Sequence, residues 1–178
     1  VLTNQASHHV DMLEWMMGDV ESVFAKMTTA LADVETEDTA IVTLKFKNGA
    51  LGIIEATTAT RPTNLEGSIS ILGEHGTVVV GGVAVNEMQT WVFEDEQEGD
   101  SSVLEEFSVN PPNVYGFGHQ SYYEHVVDCI VNGSANLVDG LQGRKSIELI
   151  SAIYESAETG KEVFLKFQPK HCRLGQKS

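Results

Sequence analysis

The runs Ala40 to Lys47 and Ala50 to Thr58 alternate along their length and flank the dipeptide Asn48-Gly49. A period of two builds a strand with two different faces, and Asn-Gly accepts the positive φ values that a tight turn demands. The pair therefore predicts a β-hairpin, and with it an antiparallel sheet that the rest of the chain must cover. Val23, Ala25 and Met27 alternate with Phe24, Lys26 and Thr28 just ahead of it. A second hairpin is predicted where Ser68 to Leu72 and Thr77 to Val80 flank Gly73-Glu74-His75-Gly76, and Thr90 to Phe93 and Val103 to Val109 read as further strands. Pro111-Pro112 then ends the strand character.

Helical periodicity brackets these strands. Ala6, Val10, Leu13 and Met17 recur at three- and four-residue steps, and Gly18 is the residue expected just past a helix end. Gln120 to Val131 carries Tyr122, Tyr123, Val126, Val127 and Ile130 on one side, and Leu141 to Thr159 is closed by Gly160. A last strand, Glu162 to Phe167, would return to the sheet. Helix, strand run, helices, strand is the order of an α+β fold: a large, mostly antiparallel open sheet with helices on one face. Val42, Leu44 and Phe46 give one strand face a strongly apolar character, while Leu51, Ile53, Ile54 and Ala56 put apolar groups on both faces of the next. An uncovered face of that kind predicts self-association, as a homodimer or homotetramer.

A chain of 178 residues with 42% hydrophobic content can bury a core as a single domain without metal or disulfide staples. Cys129, among Val126, Val127 and Ile130, reads as a small buried thiol, and Cys172 lies in a basic tail, which together suit a reducing compartment. No apolar run approaches the roughly 20 residues that span a bilayer, so a soluble cytoplasmic protein is expected. Only 11 lysines and arginines stand against 26 acids, for a net charge of -15, and phosphate-tracking surfaces need the opposite balance. A nucleic-acid partner is excluded on that ground. The dense acidic stretch Glu94 to Asp100 reads as a solvated loop.

The chemistry-bearing residues concentrate at the start, where Asn4, Gln5, His8 and His9 open the first helix. Asn4 or Ser7 capping that helix over a packed histidine is the plain structural reading. The spacing Asn4, His8, Asp11 resembles the opening of the C-terminal domain in the Gfo/Idh/MocA family of NAD(P)-dependent sugar oxidoreductases: an acid, three residues, a catalytic histidine, two residues, an aspartate. The likeness continues through Val34 to Ala40, Lys47 to Ala50 and Ala152 to Val163, so it covers nearly the whole chain. Asn4 to His9 and Tyr115 to His119 look most like the branch acting on UDP-N-acetylglucosaminuronate at the 3-position.

The resemblance implies a substrate-binding and oligomerisation domain over 1–178, preceded in the full protein by a Rossmann domain that holds NAD or NADP and supplies a lysine. It makes His8 the general base, a role that suits an imidazole because its pKa lies near working pH. Asn4 stands where an aspartate is usual; a neutral amide hydrogen-bonds a sugar but cannot raise a neighbour's basicity by charge. His9 sits about 100° further round the helix, where substrate contact and simple packing are both open readings. Arg61, ahead of Pro62, offers a planar fork to a diphosphate or carboxylate, or is a solvated loop arginine. Tyr115 and His119 flank Gly116-Phe117-Gly118, which mimics a dinucleotide turn but has prolines before it and Ser121 at the third glycine position. A loop reaching toward substrate is the better reading, and no cofactor-binding residue is assigned within the chain. Two other classes remain: a metal site drawn from His8, His9, Asp11, His119 and His125, for which no pair has the four-residue helical spacing, and an oligomerisation module without chemistry.

Overall fold

The computed structural model describes residues 1–65, 67–82, 85–109 and 116–166. In chain order its elements are α1 (Ser7–Met17), β1 (Val20–Thr28), β2 (Thr39–Phe46), β3 (Leu51–Thr57), β4 (Ile69–Leu72), β5 (Gly76–Gly81) and β6 (Glu87–Phe93). A 3-10 turn (Asp100–Ser102) leads into α2 (Val103–Glu106), followed by α3 (Gly118–Asn132), α4 (Gly140–Thr159) and β7 (Val163–Phe164). The chain divides into two compact units, one of Val1–Thr63 with Leu137–Ser178 and one of Asn64–Asn136. The class is α+β with antiparallel pairing throughout, but the described strands are shared between two sheets, in the orders β3-β2-β1-β7 and β4-β5-β6.

In the first unit the Asn48-Gly49 turn joins β2 to β3 and sets Thr43 opposite Ile53 and Lys45 opposite Leu51. Gly49 adopts φ 92°, a conformation that a side chain resists. Asn48 closes the turn twice: its Oδ1 accepts from the Ala50 N–H at 3.0 Å, and its Nδ2 donates to the Met17 carbonyl at 2.9 Å, tying the hairpin to the end of α1. The inner sheet face presents Val23, Ala25, Val42, Leu44, Phe46, Ile54 and Ala56, and it is closed by Ala6 and Val10 of the first helical segment and by Leu149, Ala152 and Ile153 of α4. Helices thus cover one face, as the alternation predicts. Ile153 is fully buried, so Ile153→Val in the full-length protein is expected to cost about 1 kcal/mol, read from the denaturant midpoint at unchanged slope.

Two buried acids hold the flanks of this unit. Asp38 Oδ2 accepts from the N–H groups of Ala30, Leu31 and Ala32 at 2.6–2.9 Å, which keeps its carboxyl well below the usual carboxylate range. Glu37 Oε1 accepts from the Leu2 N–H at 2.7 Å, and Oε2 from the Tyr154 hydroxyl at 2.5 Å, joining the segment ahead of α1 to α4.

The opposite sheet face is open. Ile41, Leu51 and Ile53 are 55%, 79% and 72% exposed, with Phe24 and Phe164 beside them and Lys26, Lys45 and Glu55 among them. Both faces of β3 therefore carry apolar side chains, only one of them covered among the described residues.

In the second unit the Gly73 to Gly76 turn joins β4 to β5 as expected. A Cβ on Gly76 would lie 2.3 Å from Phe93 Cδ1, so only glycine fits against that ring. The stretch from Val103, expected as a strand, is instead the short helix α2. Val103, Leu104 and Phe107 fall at helical steps rather than alternate positions, and that period decides the outcome. Asp100 anchors the turn before it, accepting from Trp91 Nε1 at 2.8 Å and the Gln97 N–H at 2.7 Å. None of the residues of α3 is buried, so Cys129 is half-exposed rather than a core thiol, with Sγ 3.4 Å from His125 Nε2. Residues 110–115 and 167–178, which include Pro111-Pro112, Tyr115 and the end of the last predicted strand, lie outside the described residues.

Candidate active site

Helix α1 begins without a side-chain cap: the residue before it, Ala6, is in the right-handed helical region, and Ser7 Oγ turns back to donate to the Asn4 carbonyl at 2.8 Å. Neither Asn4 nor Ser7 takes the capping role that the plain reading gave them. Asn4 and Gln5 lie exposed in the preceding turn, and His8 is exposed in the first turn of the helix. His9, about 100° further round, is half-buried, and its Nε2 is shut off from solvent with no hydrogen-bond partner among the described residues. Burial, with the neighbouring His8 adding to it, holds the His9 pKa below the ordinary imidazole value. Two adjacent histidines are thus differentiated by the helix itself. His8 lies exposed, and His9 is a half-buried ring whose burial disfavours the charged form.

The other side of α1 meets α4 through polar groups. Ser146 Oγ donates to Asp11 Oδ1. Asp19, just past the helix, accepts from Lys145 at 2.9 Å and from Lys47 at 3.1 Å, and these bonds hold its carboxyl below the usual range. Between them Glu14 is 8% exposed, and its Oε2 has no partner among the described residues. Burial pushes the Glu14 carboxyl up to about 7; Lys145 opposes the shift, and Asp19, Asp11 and Glu148 reinforce it. Neither Glu14 nor Ser146 was singled out from the sequence. Glu14 leaves a legible trace, as a charge set four residues after Val10 on the buried side of the helix, whereas Ser146 leaves none.

The remaining expected site residues are more scattered. Arg61 lies in the first unit, exposed, with Nη1 donating to the carbonyls of Thr60 at 2.7 Å and Thr58 at 3.4 Å, and its bond to Pro62 is cis. His119 is the second residue of α3, exposed, in the second unit, and Gly116 ahead of it has φ 70°. Asn4, Gln5, His8 and His9 are therefore gathered at one helix start, and Tyr115 lies outside the described residues. Among the described residues no three His, Cys, Asp or Glu side chains converge as metal ligands, and no helix is long and apolar enough to cross a membrane.

The model of an oxidoreductase-family C-terminal alpha/beta domain matches residues 1–165. The chain belongs to the Gfo/Idh/MocA oxidoreductase family. Among solved structures of the family, the WlbA dehydrogenase of Bordetella pertussis, in complex with NADH and UDP-GlcNAcA, superimposes with a TM-score of 0.86 at 44% identity over 94% of this chain and 48% of its own. The WlbA dehydrogenase of Chromobacterium violaceum, bound to the same pair, gives 0.82 at 44% identity over 93% and 46%. The myo-inositol 2-dehydrogenase of Thermotoga maritima is 28% identical over 93% of this chain and 49% of its own length. The chain spans about half the length of the relatives it matches.

Proposed function

We propose that this chain is the substrate-binding half of an NAD-dependent dehydrogenase that oxidises a ring hydroxyl, the 3-hydroxyl, of a UDP-linked N-acetylated sugar acid. The observation that carries this reading is the 44% identity, across nearly the whole chain, to two dehydrogenases held with NADH and UDP-GlcNAcA. Those two likenesses favour the nucleotide sugar over the substrates of more distant relatives such as the myo-inositol enzyme, which is the second reading. On the family resemblance, the dinucleotide is held mainly by a Rossmann domain outside this chain. When bound, NAD supplies the hydride acceptor.

What this chain contributes is the proton acceptor and the grip on the sugar. His8, exposed and on a helix packed against the sheet, takes the proton from the reacting hydroxyl. Asn4 and Gln5, one turn earlier, hydrogen-bond the sugar, and His9 shapes the wall behind them through its packed ring. Arg61 meets the diphosphate or carboxylate by exchanging its bonds to the carbonyls of Thr58 and Thr60 for bidentate contacts. Tyr115 and His119 are kept as candidate substrate contacts on the resemblance alone. The protein works in the cytoplasm, on a soluble anionic substrate.

The test is reduction of NAD by the full-length protein with UDP-GlcNAcA, followed by absorbance, with myo-inositol and NADP as comparisons. Turnover on the inositol alone would overturn the substrate assignment. Asn4→Ala is expected to raise the Michaelis constant for the sugar severalfold with turnover near the parent's, since a uniform binding contact is lost.

The open face of the first sheet supports self-association. It places Ile41, Leu51 and Ile53 beside both Lys26 and Lys45 and Glu55, and mixed signs suit a self-complementary contact. Sedimentation of the full-length protein is expected to show a dimer or tetramer, and Ile53→Glu to shift it toward smaller species. A monomeric parent would refute this part of the reading.

A further inference from the structure

We propose that the outward side of α1, centred on Trp15 with Met12 and Met16, is the surface on which the NAD-holding part of the full-length protein docks. The proposal rests on the reading of this chain as the substrate-binding half of a dehydrogenase. A helix lying on a protein surface is apolar on the side facing the core and polar on the other. Helix α1 departs from that pattern. Its inner side is Ala6 and Val10, buried, with Leu13 and Met17 packed partly beside them. On the opposite side the helical pitch sets His8, Met12 and Trp15 within about 60° of one another, with Met16 about 40° beyond Met12. Trp15 is 82% exposed and Met16 37%, and Met12 is half-buried outside the core cluster. An exposed indole between thioethers has the composition of an interface centre, where aromatic residues and methionine are enriched.

The chemistry assigned to His8 selects the occupant. Oxidation of an alcohol carbon sends its hydrogen to NAD as hydride and its hydroxyl proton to His8, and both leave the same carbinol group. The part of the protein that holds NAD must therefore come within a substrate's thickness of the first turn of α1. Met12 and Trp15 continue that same side of the helix for about 10 Å beyond His8, so a body brought against the first turn lies over them. The chain spans about half the length of the two relatives held with NADH, which leaves about as much protein again to form that body. Two other occupants fit less well. A second copy of this chain has the open sheet face, which lies across the sheet from α1, and on α1 it would seal His8 from the hydride acceptor. The nucleotide sugar carries a diphosphate, and α1 has no lysine or arginine to meet it.

The experiment puts p-benzoylphenylalanine in place of Trp15 in the full-length protein and locates its photochemical cross-links by mass spectrometry. The expected product has the mass of one subunit and joins position 15 to a peptide outside residues 1–178. A cross-link to residues 1–178, a product with the mass of two subunits, or capture of added UDP-GlcNAcA overturns the proposal. The unaltered protein supplies a second readout. Hydroxyl radicals are expected to oxidise Trp15 and Met16 at least about tenfold more slowly than in a tryptic digest of the same protein, with or without the sugar, since the centre of an interface is desolvated. Oxidation as fast as in the digest overturns the proposal, and so does protection that appears only with UDP-GlcNAcA. Trp15→Ala is expected to lower turnover about tenfold while the dissociation constant for NAD stays within about twofold, because the approach of the two parts is disturbed and the dinucleotide site is not. Parental turnover in that variant counts against it. Neither the cross-link nor the footprint needs activity. Both results in a protein inactive on UDP-GlcNAcA keep the docking surface and overturn the substrate reading instead.

Discussion

Replacing His8 by asparagine in the full-length protein is expected to lower turnover on the UDP-linked sugar acid at least about a hundredfold, leaving the melting temperature and the sugar's affinity close to the parent's. Removing a positioned proton acceptor typically costs a factor of ~100 to 10,000 in rate, whereas removing a packed histidine costs stability and spares the chemistry of the folded fraction. The structure makes the two outcomes separable. His8 is exposed in the first turn of α1 and carries no buried packing that its loss would disturb. His9 is the internal control: its Nε2 is buried, so His9→Asn is expected to act on stability first. Initial rates over a sugar titration, with a thermal melt of each variant, decide between them. A His8→Asn enzyme with near-parental turnover, or one that fails to fold, would remove His8 from the chemistry.

Much of the fold was legible because its signals are local. The Asn48-Gly49 turn, the alternation of Val42, Leu44 and Phe46, the Ala6 to Met17 stripe and the Gly160 stop each need only a few residues, and each is found where the sequence places it. The failures have physical causes. Val103 to Phe107 holds too few residues to separate helix from strand by composition, and its apolar spacing carried the answer. The division into two sheets depends on which strands pair, which is a long-range property. Cys129 was expected in a core because its neighbours are apolar, but the apolar side of α3 is not covered within its own unit.

The site divides in the same way. Asn4, Gln5, His8 and His9 are adjacent in sequence and so necessarily adjacent on the helix, and the difference between the two histidines follows from its pitch. The groups that support them are distant in sequence. Ser146 is 135 residues from Asp11, Tyr154 is 117 from Glu37, and Ser156, which accepts the Ala25 N–H through its Oγ, is 131 from its partner. Serines on the exposed-looking rows of an amphipathic helix carry no mark of such roles. Only the fold brings them to their partners.

Glu14 gives the second large effect, and its sign is opposite to that of most buried carboxylates. Burial raises its pKa from the ordinary 4.5 to about 7, against the pull of Lys145 and with Asp19, Asp11 and Glu148 adding to the rise. Between those two values the folded protein keeps a proton that the unfolded chain has released, so stability falls as pH climbs through that window, and the loss is complete above about 7. A rise of this size amounts to about 3 kcal/mol at most. Glutamine has the shape of the protonated acid and no charge to desolvate, so Glu14→Gln should match the parent near pH 4.5 and exceed it by up to about 3 kcal/mol at pH 8. The acids held low, Asp19 and Glu37, lose their contribution only as pH falls into the carboxylate range, while His9, held below the ordinary imidazole value, acts in this window with the opposite sign, so the difference between parent and variant, not the parent's own curve, isolates Glu14. Denaturant unfolding of the full-length parent and variant at a series of pH values measures the difference directly. Curves that stay parallel from pH 4.5 to 8 would mean that Glu14 is ionised in the fold, and the buried seam between α1 and α4 would then need a counter-charge closer than Lys145.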